Sequence, residues 1–128
     1  KWTVPGGKLE RKDYESKPLD SEDAWYYVGE KLVEREVMEE AGISIKNIQY
    51  LASLAFIRPD NIPVVVLSYF AHHAGGEVAL KDAGLVESAW VSLEEAKGYD
   101  MIPGIYEEIE LVDHHLKGNL LGKWKKSE

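Results

Sequence analysis

The chain has 128 residues, of which 45% are hydrophobic and 30% charged, and these values fit one globular domain over residues 1–128. The net charge of −8 disfavours a wide basic face for a nucleic-acid backbone, and the lack of cysteine excludes disulfides, thiol catalysis and cysteine-ligated zinc. The composition still permits a site in which oxygen ligands bind divalent cations, and such cations can bind a small polyphosphate substrate. No apolar run approaches the roughly 18 residues of a membrane span, so we expect a cytoplasmic protein.

The N-terminal segment predicts a strand, a glycine turn and a long polar loop. Trp2–Val4 has strand character, and Pro5–Gly7 is a turn that lets the backbone come close to a ligand. Residues 11–23 are polar and charged, which indicates an exposed loop ending in helix-start residues. Because the chain opens without methionine on a strand-like segment, we expect its natural N-terminus to lie further upstream.

Apolar spacing and capping residues predict the helices. The stripe over Ala24–Ala41 is helical, and Gly42 supplies a C-terminal stop. Ser92 followed by Glu95 three positions later predicts a capped helix start. Ile105–Leu116 predicts a C-terminal amphipathic helix.

β-branched and alternating segments predict the strands after the first helix. These segments are residues 43–45, 48–56, 62–69, 77–80 and 87–91. We expect the second and third to pair across the turn at residues 58–61. Strands and helices interleave without a regular rhythm, so the predicted class is α/β or α+β, with a mixed sheet packed between helices.

Three glutamates on the first helix are the main candidates for chemistry. Glu36, Glu39 and Glu40 are three or four positions apart and share one helix face, close to the negative end of the helix dipole. Such crowding is unfavourable unless a cation compensates it, and oxygen ligands suit Mg²⁺ or Mn²⁺. Arg35 precedes Glu39 by four positions and is placed to orient a glutamate. A solvated charged face is the commoner explanation for glutamates on an arbitrary helix.

The sequence context favours the metal site. Residues 35–43, Arg-Glu-Val-Met-Glu-Glu-Ala-Gly-Ile, resemble the second half of the Nudix box at every specified position. Residues 2–10, Trp-Thr-Val-Pro-Gly-Gly-Lys-Leu-Glu, look like the strand and loop that lead into that box. Gly7 precedes Arg35 by 28 positions, twice the spacing in the family, so a long insertion lies inside the box. The family's first box glutamate falls on Tyr27 here.

The resemblance implies a fold and an activity. The fold is a Nudix-like mixed β-sheet sandwiched between α-helices, whose N-terminal strand is missing from this chain. The activity is metal-dependent pyrophosphohydrolysis, in which water attacks a phosphorus of a nucleoside di- or triphosphate derivative. The implied metal ligands for Mg²⁺, with Mn²⁺ as a substitute, are Glu36, Glu39, Glu40 and the Gly6 carbonyl. The implied catalytic residues are these glutamates and Arg35, and the implied substrate-binding residues are Gly7, Lys8 and Glu10. A late-loop acid is also expected, with Glu77, Asp82 and Glu87 as candidates.

Other interpretations remain beside the hydrolase. A catalytically silent Nudix-like domain would bind a nucleotide or metabolite, whereas a structural acidic domain would make the motif a coincidence. A prenyl diphosphate isomerase of related fold would need a cysteine. Trp25 to Tyr27 either stack on a base or anchor the long loop. We expect a small-molecule nucleotide partner, no membrane and no nucleic-acid polymer, and a homodimer stays open.

Overall fold

The protein is described here by a computed structural model, which covers residues 1–81 and 84–127. Its elements in chain order are a short 3₁₀ turn (Arg11–Asp13), α1 (Val28–Ala41), β1 (Ser44–Ile57), β2 (Pro63–Gly75), α2 (Leu93–Ala96) and α3 (Ile105–Leu116). The predicted mixed class of helices and strands is therefore confirmed. Asp82, one of the late-loop acids, lies outside the described residues. Within the described ranges, no helix has the length and apolar character that a membrane crossing needs.

The two long strands form a hairpin. β1 and β2 pair as a two-stranded sheet, and the turn between them is closed by a hydrogen bond from the Arg58 N–H to the Ile62 carbonyl at 2.9 Å. The predicted pairing across residues 58–61 is confirmed. β1 runs through the gap that separated its two predicted segments, because Asn47 tolerates a φ of 54° without ending the strand.

The structure corrects three of the shorter strand predictions. Trp2 makes only an isolated parallel bridge with Met101, and residues 77–80 and 87–91 belong to no strand. Residues 79 and 81 instead donate backbone hydrogen bonds to the carbonyls of Ala41 and Glu40, at 2.8 and 3.1 Å. The last carbonyls of a helix lack partners inside the helix, so this segment satisfies the end of α1. Across the part of the chain that the structure describes, the sheet therefore has two strands.

Helix α1 begins four residues later than predicted. Asp20 and Ser21 donate backbone hydrogen bonds to the Ala24 carbonyl at 3.0 and 3.1 Å, and the Asp20 carboxylate accepts one from the Tyr26 N–H. Tyr27 then has a φ of 57°, outside the helical region. The inserted loop, residues 11–23, therefore forms hydrogen bonds with the backbone of Ala24 and Tyr26, which a helix beginning at Ala24 would include.

The chain divides into two compact units. The first contains residues 1–4, 50–70 and those from 89 onward, and the second contains Pro5–Gln49 and Ala71–Ser88. In the first unit, α3 contributes Leu111 to a core with Leu51 and Phe70 of the hairpin. In the second unit, Ala41 and Ile43 are buried where α1 ends. All the predicted site residues from Gly6 to Glu40 lie in the second unit.

Gly42 ends α1 as predicted, and its substitution by alanine is expected to destabilise the fold. Its φ is 75°, and a Cβ there would lie 3.3 Å from Lys81 Cε and 3.4 Å from the Ala79 carbonyl oxygen. Gly42→Ala should lower the free energy of unfolding by roughly 1–2 kcal/mol, the cost of a left-handed backbone for an L-residue. Urea titration measures this, with Gly98→Ala as the control because its Cβ would make ordinary contact at 3.6 Å. Equal losses in both variants would contradict the prediction.

Helix α2 begins with the predicted capping box. The Ser92 N–H donates to Glu95 Oε1 at 3.0 Å, and the Glu95 N–H donates to the Ser92 hydroxyl oxygen at 3.2 Å. The hydrogen bond from the Ser92 backbone, and after it one from the Ser92 side chain, lowers the pKa of Glu95 below its ordinary value of 4.5. The capping box therefore favours the charged carboxylate in the folded state.

This pKa makes the contribution of Glu95 depend on pH. A carboxyl group whose pKa is lower in the folded state adds stability above its unfolded pKa, and this is lost as pH falls through the folded pKa. Glu95→Ala should therefore lower the melting temperature at about pH 7 and lower it less at about pH 3. Thermal unfolding followed by circular dichroism at both pH values tests this. The prediction would be disproved if the variant's melting temperature were lower than that of the parent chain by the same amount at both pH values.

Candidate active site

The C-terminal half of α1 separates its glutamates by environment. The Glu36 side chain is only 16% exposed, whereas the Glu39 side chain, one turn on, is 57% exposed. Glu40 is partly buried, and its carboxylate accepts a hydrogen bond from the Gly6 N–H at 3.1 Å. Glu40 therefore contacts the glycine loop (Pro5–Gly7), whereas Glu39 on the same helix face is exposed to solvent.

Arg35 is the counter-ion of this cluster. Its guanidinium lies 3.3 Å from Glu36 Oε1 and 3.5 Å from Glu39 Oε1. The same group lies 2.9 Å from Asp13 Oδ1, in the inserted loop. One cation therefore contacts two crowded carboxylates and connects the insertion to α1. Coulombic attraction at these distances offsets part of the repulsion between the glutamates.

The glycine loop lies directly against two of the glutamates. Besides the bond from Gly6 to Glu40, a Cβ at Gly7 would lie 2.5 Å from Glu36 Oε1 and 2.6 Å from Glu36 Cγ. No side chain fits at Gly7 while Glu36 keeps its place. At Gly6, in contrast, a Cβ would meet nothing within 4 Å. Glycine at position 7 is what lets the backbone approach the carboxylate.

The remaining predicted residues stand apart from this contact. Lys8 is exposed, and the Glu10 carboxylate pairs with Lys12 at 3.1 Å while the Glu10 N–H donates to Asp13. Glu77 and Glu87 are exposed as well. Over residues 1–81 and 84–127, no three acidic or histidine side chains are grouped closely enough to hold a metal ion. Glu36 and Glu39 thus share Arg35 as their partner, while the Glu40 carboxylate accepts the hydrogen bond from the Gly6 N–H.

Comparison with known proteins decides the family. A family model described as the NUDIX domain matches residues 1–112. This chain belongs to the Nudix family. The predictions of the family and of its α/β fold class are thereby confirmed, and the match also supports the predicted hydrolase class.

Curated relatives match part of the Nudix domain. The NAD-capped RNA hydrolase NudC of Haemophilus influenzae (strain PittGG) is 33% identical over 66 residues, which cover 52% of this chain and 24% of that protein. The NudC of Pasteurella multocida (strain Pm70) is 28% identical over 88 residues, which cover 69% of this chain and 32% of that protein. The chain thus spans about a quarter to a third of the length of these relatives.

Asp13 is a site residue that sequence reasoning missed. Its side chain is only 10% exposed, contacts Arg35, and accepts the hydrogen bond from the Glu10 N–H at 2.7 Å. It lies in the inserted loop, at a position that the Nudix motif does not specify, where its neighbours are Lys12 and Tyr14. Only the capping relation to Glu10, three positions earlier, marked it locally, and nothing in the sequence linked it to Arg35.

The contact at Gly7 makes alanine substitution there a test of the Nudix site. Gly7→Ala should displace the Glu36 carboxylate and reduce hydrolysis roughly tenfold to a hundredfold, because misplaced groups lose catalytic orientation. The fold should persist, since the displaced group is the mobile end of a side chain. Gly6→Ala should lower activity less, because its Cβ meets open space. Steady-state rates and melting temperatures of both variants measure this, and equal rates would disprove it.

Proposed function

We propose that this chain hydrolyses a phosphoanhydride bond of a nucleoside di- or triphosphate derivative, using a divalent cation held by the α1 glutamates. The observation that supports the proposal most is the backbone of Gly6 and Gly7 lying against Glu40 and Glu36, beside Arg35. This contact joins the two halves of the motif despite the insertion between them. Membership of the Nudix family supports the same reaction class.

The donor chemistry of the site fits Mg²⁺, with Mn²⁺ as a substitute. Glu36, Glu39, Glu40 and the Gly6 carbonyl offer only hard oxygen ligands, which these cations prefer. Arg35 pairs with Glu36 and Glu39 and is shared with Asp13. Negative charge at the C-terminal end of a helix is unfavourable, so added positive charge stabilises this arrangement.

The roles proposed for the residues follow from where they lie. The bound cation would supply electrostatic stabilisation of the phosphate oxygens, which phosphoryl transfer needs more than covalent catalysis. A glutamate of the cluster accepts a proton as water attacks phosphorus and the bond to the leaving phosphate breaks. Arg35 orients Glu36 and Glu39 through its ion pairs. Lys8, exposed on the glycine loop, binds a phosphate oxygen, and Glu10 and Gly7 shape the loop around the substrate.

The proposed substrate is a small nucleotide derivative. The relatives' names state an activity on NAD-capped RNA, and the dinucleotide part of such a cap contains a phosphoanhydride. Because this chain spans only part of those proteins, we assign to it the shared bond type, with NAD among the candidates. We also propose that residues 1–128 act as one Nudix domain, and a homodimer stays a prediction.

Removing one glutamate should separate this function from a silent binding domain. Glu39→Gln should lower the rate of Mg²⁺-dependent hydrolysis about a hundredfold or more, the scale seen when one group that stabilises transition-state charge is removed. Product release is measured with NAD, ADP-ribose and nucleoside triphosphates, each with Mg²⁺ and with chelator. Glu34→Gln, an exposed residue of the same helix with the same charge change, is the matched control and should keep its rate.

The two functions give different results in this experiment. Hydrolysis that needs Mg²⁺, is retained in Glu34→Gln and is lost in Glu39→Gln supports the hydrolase. Nucleotide binding without turnover on any of these substrates would instead favour the catalytically silent domain. Equal rates for Glu34→Gln and Glu39→Gln would remove the glutamate cluster from the mechanism.

A further inference from the structure

The inserted loop builds a cavity against α1. Its volume is about 370 Å³. Its walls come from residues between 9 and 18 on one side, and from Trp25 and α1 residues up to Arg35 on the other. We call this cavity the insertion pocket. Its size falls in the range of small-molecule sites, which run from about 300 to 1,000 Å³. The walls belong to one compact unit, Pro5–Gln49 with Ala71–Ser88.

The charge of the insertion pocket is opposite to that of the chain. Its walls include Lys12, Lys17, Lys31 and Arg35, and the acid among the lining residues is Asp13, which Arg35 contacts. The chain as a whole carries a net charge of −8. A local excess of cations on an acidic protein marks a place where an anionic ligand is favoured over the surrounding surface.

Lys12 is paired with Glu10, and Lys17 and Lys31 are the lysines of the pocket that are available to a ligand. Lys31 lies 3.9 Å from Asp20, the outer limit of an ion pair, and its side chain is 52% exposed. Lys17 is exposed and makes no ion pair among the described residues. Exposed ammonium groups with weak partners bind phosphate oxygens with little loss of existing contacts.

The floor of the pocket is aromatic and apolar. Tyr14 and Trp25 pack with ring centroids 5.1 Å apart and planes tilted by 52°. The Trp25 indole N–H donates to the Lys17 carbonyl at 2.9 Å, which fixes the ring beside that lysine. Val28 and Leu32 complete the floor from α1. Aromatic rings of this kind stack on planar bases, and an adjacent cation then meets a phosphate.

We propose that the insertion pocket binds one nucleoside monophosphate half of the substrate, whose phosphate is one of the two joined by the bond to be cleaved. This inference rests on the proposed function. The residue that links the two sites is Arg35, which lines the pocket and also lies 3.3 Å from Glu36. With a base on the aromatic floor, its phosphate would extend past Lys17 and Lys31 toward Arg35 and the glutamates. The insertion therefore adds contacts for the nucleoside monophosphate group, which NAD and nucleoside triphosphates both contain.

Binding of adenosine monophosphate in the presence of chelator tests this pocket without the metal. Isothermal titration calorimetry should show binding to the parent chain, and Lys17→Gln with Lys31→Gln should weaken it about tenfold, the scale for charged hydrogen bonds to phosphate. Both lysines are exposed, so the fold is expected to persist. The matched control is Lys46→Gln with Lys125→Gln, which removes the same charge elsewhere and should leave binding unchanged. Adenosine without phosphate should bind more weakly.

Kinetics then distinguish a substrate subsite from a separate effector site. With NAD as substrate, the double variant Lys17→Gln with Lys31→Gln should have a KM about tenfold higher than the parent chain and an unchanged kcat. Adenosine monophosphate should inhibit the parent chain competitively. Inhibition that lowers kcat alone would overturn the assignment to the substrate.

The pocket and the hydrolase can fail independently. Hydrolysis without chelator-resistant binding, or equal binding by the pocket and control variants, overturns the pocket and leaves the hydrolase intact. The other outcome is binding that persists with chelator and depends on Lys17 and Lys31, in a chain that hydrolyses none of the substrates. This result overturns the hydrolase, and it also overturns the assignment of the pocket's ligand to the substrate.

Discussion

The site depends on the repulsion between carboxylates at the C-terminal end of α1. Glu36, Glu39 and Glu40 lie on one helix face where the helix dipole already disfavours negative charge. Arg35 offsets part of this repulsion, and it does so as a residue of the same helix, so the compensation forms with the helix itself. The repulsion between carboxylates at this end of α1 is the physical basis of the proposed divalent cation.

The same arginine connects the insertion to the chemistry. Asp13 contacts Arg35 at 2.9 Å and is largely shielded from solvent, so the ion pair is less screened than an exposed one. The loop therefore has a fixed attachment next to the glutamates and a second one at Trp25, whose indole is bonded to the loop backbone. Between these attachments lies the insertion pocket. An extension inside the motif thus adds a surface beside the site and leaves the glycine loop in contact with the glutamates.

Local sequence signals were reliable where local physics decides the structure. The extent of α3, the capping box at Ser92, the stop at Gly42 and the hairpin turn were all predicted, because each depends on residues within a few positions of one another. The short strands at residues 77–80 and 87–91 were predicted wrongly. A strand needs a partner, and the first of these segments uses its N–H groups to satisfy the end of α1.

The sequence by itself determined the family, the fold class and the identity of the candidate glutamates, because the spacing of Arg35 to Ile43 specifies both a helix face and a known motif. The tertiary structure decided which groups meet across the insertion. That Gly7 lies on Glu36, and that Asp13 binds Arg35, are contacts between residues more than twenty positions apart. Such contacts depend on the path of the loop, which no periodicity or capping rule encodes.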